Sequence, residues 1–196
     1  MIILASGSTT RRAMLTGAGV AFAVETAAVD EDAVKRAMAA QVADPGEVAE
    51  TLAGLKAERV SARHPGALVI GADQMLDCDG AWHDKPADAA AARAQLSALR
   101  GRTHRLTSAA VAVRDGTCLW RHRQEARLTM RRFSEAFLDE YLARAGAAVL
   151  ASVGAYQLEG LGAQLFSGIE GDHFTILGLP LLPLLDFLRE NGELSS

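Results

Sequence analysis

The chain opens with an unbroken apolar run, residues 2–5, that gives way at once to Ser6, Gly7, Ser8, Thr9 and Thr10. Met14, Leu15 and Ala18 then recur at roughly helical spacing, and Gly19 closes the pattern. This opening reads as a short buried strand, a small-residue turn and the start of a helix. Residues 30–40 are helix-like. Asp44, Pro45 and Glu47 supply an N-cap, a first-position proline and an N3 acid to the next helix. Val48, Leu52, Leu55, Arg59 and Val60 carry its period, and His64-Pro65-Gly66 stops it. Residues 67–72 are continuously small or apolar, the pattern of a buried strand. Residues 75–77 continue extended, and Asp79-Gly80 signals a hairpin.

Pro86 begins an alanine-rich helix to about Leu99, and strands follow near 105–113 and 118–130 with Asp115-Gly116 between them. Residues 134–145 read as a helix, the glycine-punctuated stretch 153–166 as mixed strand and turn. Pro180 opens a last helix ending near Asn191-Gly192. The order of elements predicts a mixed α/β fold, one domain over residues 1–196 with two lobes. No repeat, low-complexity tract or linker interrupts it.

Composition narrows the function. Hydrophobic residues at 49% and charged residues at 22% are ordinary globular values. A net charge of −4 lacks the basic excess of a nucleic-acid binder. The most apolar segment, 174–188, is broken by Pro180, Pro183 and Asp186, too short and interrupted for a membrane span. The N-terminus lacks the charged region and long apolar stretch of a signal peptide. Cys78 and Cys118 have no metal or disulfide spacing, so a reducing cytoplasmic location is expected. Of 20 Lys plus Arg, only Lys35, Lys56 and Lys85 are lysines, a hint that a compact point charge is needed there, with chance retention as the alternative.

Three segments carry candidate chemistry. In the first, residues 6–12, a turn rich in hydroxyls precedes a helix N-terminus that favours anions, and Arg11 and Arg12 add forked donors matching phosphate. The competing reading is an N-capped surface helix with solvated arginines. Its spacing is not that of a Walker loop. In the second, Asp73 and Gln74 follow the buried strand. A carboxylate there is costly unless paired or bound to a metal, so Asp73 could hold Mg2+ or accept a proton from water. A turn-capping Asp is the alternative. In the third, Lys56 and Lys85 could neutralise phosphoryl charge, or simply lie on solvated faces. Glu31 could be a second metal ligand, or a first-turn acid favoured by the helix dipole. The five histidines show no ligand spacing such as HExxH, which argues against zinc. The stretch 154–171 lacks a dinucleotide-binding GxGxxG.

Taken together, LASGSTTRR, VDE, LAGLKAE, VIGADQ, DKPAD, LRGRTH, GAYQLEGLGAQLF and IEGDHFTILGLPL resemble the Maf family of nucleotide pyrophosphatases, historically linked to septum inhibition. The resemblance spans residues 4–188. It implies an elongated mixed sheet flanked by helices, with two lobes and a central cleft, similar to the inosine-triphosphate pyrophosphatases. It implies a hydrolase that converts a nucleoside triphosphate to the monophosphate and pyrophosphate, by attack of metal-activated water on the α-phosphate, with Mg2+ or Mn2+ as cofactor. Asp73 matches the family's proton acceptor. Glu31, Lys56 and Lys85 match its other active-site charges, with Asp73 and Glu31 toward the metal, and Ser8 and Arg11 match its phosphate-binding loop. A homodimer is a further expectation.

The departures bear on the base. The commonest SPRR becomes Ser8-Thr9-Thr10-Arg11, placing Thr10 at a position tied to base selection. GADT becomes GADQ with Gln74, and Glu159 stands where a Gln is usual. Gln74 and Glu159 are similar to the subgroup acting on 7-methyl-GTP. A carboxylate only accepts, so Glu159 could take both adjacent donors of guanine, N1–H and the exocyclic amine. An acidic pocket also favours the cationic 7-methylated base. Thr10, unlike an aromatic, cannot stack on it. A dTTP- or UTP-preferring pyrophosphatase is the alternative. A cell-division regulator that binds nucleotide or a partner without hydrolysis is the rival from another class.

Overall fold

The structure, a computed structural model, describes residues 1–41 and 43–195. It is α/β, built on a mixed seven-stranded sheet. Strand β1 (Ile2–Ala5) is buried throughout and pairs in parallel with β2 (Phe22–Val24) and β3 (Leu68–Cys78). With β5 (Thr103–Arg114), β6 (Thr117–Met130) and β7 (Phe166–Glu170), the order is β2-β1-β3-β5-β6-β7. Strand β4 (Ala81–His83) lies antiparallel on β3, with Leu76 opposite His83. The turn is made by Asp79 and Gly80, both at positive φ (52° and 83°), as a tight two-residue hairpin requires.

The chain divides into two compact units: Met1–Gln74, Thr107–Gln124 and Asp172–Ser196 form the first, Met75–Leu106 and Glu125–Gly171 the second. Strands β3, β5 and β6 each contribute to both. In the first unit, Leu4, Leu15, Leu68, Ile70, Leu179, Leu184 and Leu188 belong to one buried cluster, and Trp120 stacks on Phe187 at 5.2 Å. The helices of this unit are α1 (Thr9–Gly17), α2 (Glu31–Ala39), α3 (Pro45–Ser61), α6 (His173–Ile176) and α7 (Leu181–Glu190). Those of the second unit are α4 (Ala89–Leu99) and α5 (Glu135–Ala145).

Within the first unit, strand β3 and helix α3 meet backbone to backbone. Gly71 of β3 lies so close to α3 that a Cβ there would stand 2.0 Å from the Ala53 carbonyl oxygen and 2.9 Å from the Ala57 nitrogen. Glycine thus lets the two backbones touch. Because side chains alternate along a strand, Asp73 shares the face of Gly71, and Lys56 sits on the helix one residue before Ala57.

Several boundaries differ from expectation. Helix α4 starts at Ala89, not Pro86, because the Asp88 side chain accepts from the Ala91 N–H and caps it. The stretch 153–166 holds two short 3-10 turns, Val153–Ala155 and Leu161–Leu165, and strand begins only at Phe166. It folds back tightly: a Cβ at Gly162 would lie 2.4 Å from the Gln157 carbonyl oxygen. Strand β2 and helix α6 carry no signal in the sequence, being too short for a period to register.

Candidate active site

Strand β3 delivers Asp73, α3 delivers Lys56, and α2 delivers Glu31. Helix α2 begins where the Asp30 side chain accepts from the Ala33 N–H at 2.9 Å, which places Glu31 in the first turn. Lys56 Nζ donates to Asp73 Oδ1 at 2.6 Å and pairs with Glu31 Oε1 at 2.7 Å. Lys56 and Asp73 are buried, at 8% and 5% exposure, whereas the Glu31 side chain is 41% exposed. A single ammonium therefore bridges an interior and a solvent-facing carboxylate. In a buried setting this pairing is what keeps an ionised aspartate tolerable.

The second Asp73 oxygen is different. Asp73 Oδ2 is buried and accepts no hydrogen bond from the described residues. A buried acceptor left in that condition is costly in a purely structural ion pair. It has the chemistry expected of an atom that takes a proton or a cation. Among the described residues no group of three or more His, Cys, Asp and Glu gathers to hold an ion by itself. Two carboxylates are nonetheless the donor set Mg2+ uses where substrate phosphates and water complete its shell. The residues present fit such an ion.

Arg11 comes from the first turn of α1, which Ser8 caps by accepting the Arg11 N–H on Oγ at 3.2 Å. Its guanidinium reaches deep into the first unit. Nε donates to the Gly178 carbonyl oxygen at 2.7 Å, and Nη1 donates to the Ala72 carbonyl oxygen at 2.8 Å and to Ser6 Oγ at 3.2 Å. Burial lowers the Arg11 pKa, while the charges of Asp73 and Glu31 oppose that shift. Ser6, itself buried, also accepts the Ser8 N–H. Ser6 thus shapes the turn, although the family pattern points to Ser8; its only signal in the sequence is the small-residue turn itself.

Gln74, half-buried beside Asp73, donates from Nε2 to Ser108 Oγ (3.1 Å) and to the carbonyl oxygens of Thr175 and Ile176 (3.0 Å each). Thr10 is half-buried in the first turn of α1. Lys85 and Glu159 belong to the second unit. Lys85 is exposed shortly after β4, and Glu159 is exposed in the segment between the two 3-10 turns. The first unit therefore brings Glu31, Lys56 and Asp73 into one ion-paired group, with Arg11 bound to the carbonyl of Ala72, the residue before Asp73, and Gln74 bound to Ser108 and residues 175–176.

Comparison with known proteins identifies the family. The family model described as "Maf-like protein" matches residues 1–191. A nucleoside triphosphate pyrophosphatase of Paramagnetospirillum magneticum is 71% identical over 192 residues, covering 98% of this chain and 99% of its own. One of Granulibacter bethesdensis is 54% identical, covering 99% and 98%. A protein of Mesorhizobium japonicum named 7-methyl-GTP pyrophosphatase is 54% identical, covering 98% and 97%. Matched along nearly its whole length to the family and to these relatives, the chain belongs to the Maf family.

Proposed function

We propose that this chain hydrolyses a nucleoside triphosphate to its monophosphate and pyrophosphate, with water attacking the α-phosphorus. The observation that carries the reading is the Lys56 bridge, which ties Asp73 through Oδ1 and leaves buried Oδ2 without a donor. Oδ2 takes the proton of the attacking water, a task for which a carboxylate held in one orientation suits general-base catalysis. Lys56 fixes that orientation and limits the cost of burying the charge. The bond that forms is from water oxygen to α-phosphorus, and the bond that breaks is from α-phosphorus to the bridging oxygen. Pyrophosphate leaves with the bridging oxygen. The Ser6–Ser8 turn and the start of α1 offer backbone N–H groups and a helix N-terminus to phosphate oxygens. Asp73 and Glu31 would hold Mg2+, which when bound neutralises phosphate charge and makes water more acidic.

For Lys85 and Glu159 the support is their match to family positions. Lys85 is proposed to offset charge on the leaving pyrophosphate and Glu159 to accept from the base. The relatives of Mesorhizobium japonicum and Rhizobium etli, 54% and 52% identical, carry the name 7-methyl-GTP pyrophosphatase, which favours a 7-methylated guanine as the base. The test is pyrophosphate release with Mg2+ across 7-methyl-GTP, GTP, dTTP, UTP, CTP and ITP, wild type beside Asp73→Asn. Turnover by wild type that Asp73→Asn loses supports the reading, and the preferred base decides its finer part. A preference for dTTP or UTP would reject the role given to Glu159. No release from any nucleotide would reject hydrolysis and favour a binding module.

A further inference from the structure

We propose that Arg59 is a positioning residue: from α3 it holds the connection between β2 and α2, and so fixes where Glu31 stands beside Lys56. This rests on the pyrophosphatase function proposed above, in which Glu31 acts with Asp73. Helix α2 needs such a hold, because none of its residues is buried, and burial of an apolar face is what ordinarily fixes a helix in place. The position of Glu31 therefore depends on the segment before it, residues 25–30.

Lys56, Arg59 and Arg63 follow one another at intervals of three and four, which aligns them on one face of α3 and the turn that ends it. Arg59 stands in the sequence as part of the period of α3, yet its side chain is exposed rather than packed in the core. The partners of the three cations run along 25–31 in reverse order. Lys56 pairs with Glu31 Oε1 at 2.7 Å, Arg59 Nη1 donates to the Ala28 carbonyl oxygen, and Arg63 Nε donates to Glu25 Oε1 at 2.7 Å. His64 Nε2 meets the other Glu25 oxygen, so both oxygens of that carboxylate are engaged. The contacts form a ladder in which Arg59 is the middle rung. Its end rungs join side chains, whereas Arg59 takes the backbone itself, three residues before Glu31. The far side of the connection is held as well. The Glu25 N–H donates to the Leu4 carbonyl oxygen at 3.1 Å, and Thr26 Cγ2 would stand 3.4 Å from a Cβ at Gly7. The connection thus lies between α3 and the Ser6–Ser8 turn, and Arg59 ties it to the helix that carries Lys56.

Arg59→Met, which keeps the stem and removes the donor, and Arg59→Lys, which returns one donor, test it in the wild-type and in the Glu31→Gln background. Backbone amide exchange is followed by mass spectrometry, and kcat is measured with 7-methyl-GTP, GTP, dTTP and UTP. Arg59→Met is expected to speed exchange over residues 25–39 while exchange in β3 and the melting temperature stay near wild type. Its kcat should fall about three- to tenfold, the equivalent of one hydrogen bond, and Arg59→Lys should recover most of both losses. In the Glu31→Gln background the same substitution should leave kcat unchanged, because a residue that acts through Glu31 then has no carboxylate to position. Wild-type exchange over 25–39 in Arg59→Met would overturn the proposal, as would faster exchange spread through the whole first unit. It fails equally if kcat stays at the wild-type value, or if its full loss is repeated on top of Glu31→Gln. Absence of pyrophosphate release by the wild type would remove the proposed function itself, and the exchange comparison would still decide whether Arg59 holds the connection.

Discussion

Lys56 and Asp73 illustrate how unequal two members of one ion pair are when substituted. Lys56→Ala would leave Asp73 buried without its ammonium, and breaking such a pair costs about 3–5 kcal/mol, so the urea midpoint should drop along with turnover. Asp73→Asn leaves Lys56 paired with Glu31. It should lower kcat about 10²–10⁴-fold, the range for a lost general base, with a much smaller loss of stability. Measuring urea midpoint and kcat for both separates the roles; equal loss of stability in the two would refute them. Single residues were informative in the sequence by their type. A carboxylate after a buried strand and a lysine kept among arginines were visible, but not that one amine joins Asp73 to Glu31. That pairing depends on three elements meeting, which no local pattern encodes. Gln74 shows the same limit: its position after Asp73 was legible, while its partners, Ser108 and residues 175–176, lie far along the chain.

Among the elements, the approach of α3 to β3 decides where Lys56 stands. The run 67–72 read correctly as a buried strand because it is apolar on both faces, and α3 was announced by its Asp44 cap, Pro45 and period. Their backbone contact at Gly71 was silent, since an isolated glycine in a strand has several meanings. Gly71→Ala would force the helix outward against the Ala53 carbonyl. Overpacking of this kind costs about 1–3 kcal/mol, and the shift also moves Lys56, so activity should fall more than the melting temperature alone implies. A milder change, Asp88→Ala at the cap of α4, should cost about 1 kcal/mol and leave kcat untouched. Calorimetry with parallel assays checks both. Helix α6 escaped notice because a helix from His173 to Ile176 is barely one turn long.

For the molecule entire, the acid limit of stability is set in part by the second unit. His104 is 2% exposed and its Nε2 lies 2.7 Å from Tyr156 Oη. Burial, with a smaller contribution from the charge of His83, lowers its pKa to about 4. Burial likewise raises Tyr156 above its ordinary value and Tyr141 to about 12. Between the unfolded value of 6.5 and the folded value of about 4, the unfolded chain binds a proton that the folded chain refuses. Stability is therefore full above about pH 6.5 and declines as pH falls through this window, by at most about 3 kcal/mol. The melting temperature should follow that slope, and His104→Gln should flatten it. An unchanged slope would mean that His104 accepts its proton without unfolding. Fold class was legible because strand and helix periods alternate along the chain. Two lobes were expected, but which stretches make up each unit was not legible, since both draw on separated parts of β3, β5 and β6. Whether water oriented by Asp73 attacks the α-phosphorus is decided by hydrolysis in heavy-oxygen water followed by mass spectrometry of both products. The label is expected in the nucleoside monophosphate and absent from pyrophosphate. Label in the pyrophosphate, or release of orthophosphate in its place, would overturn attack at the α-phosphorus.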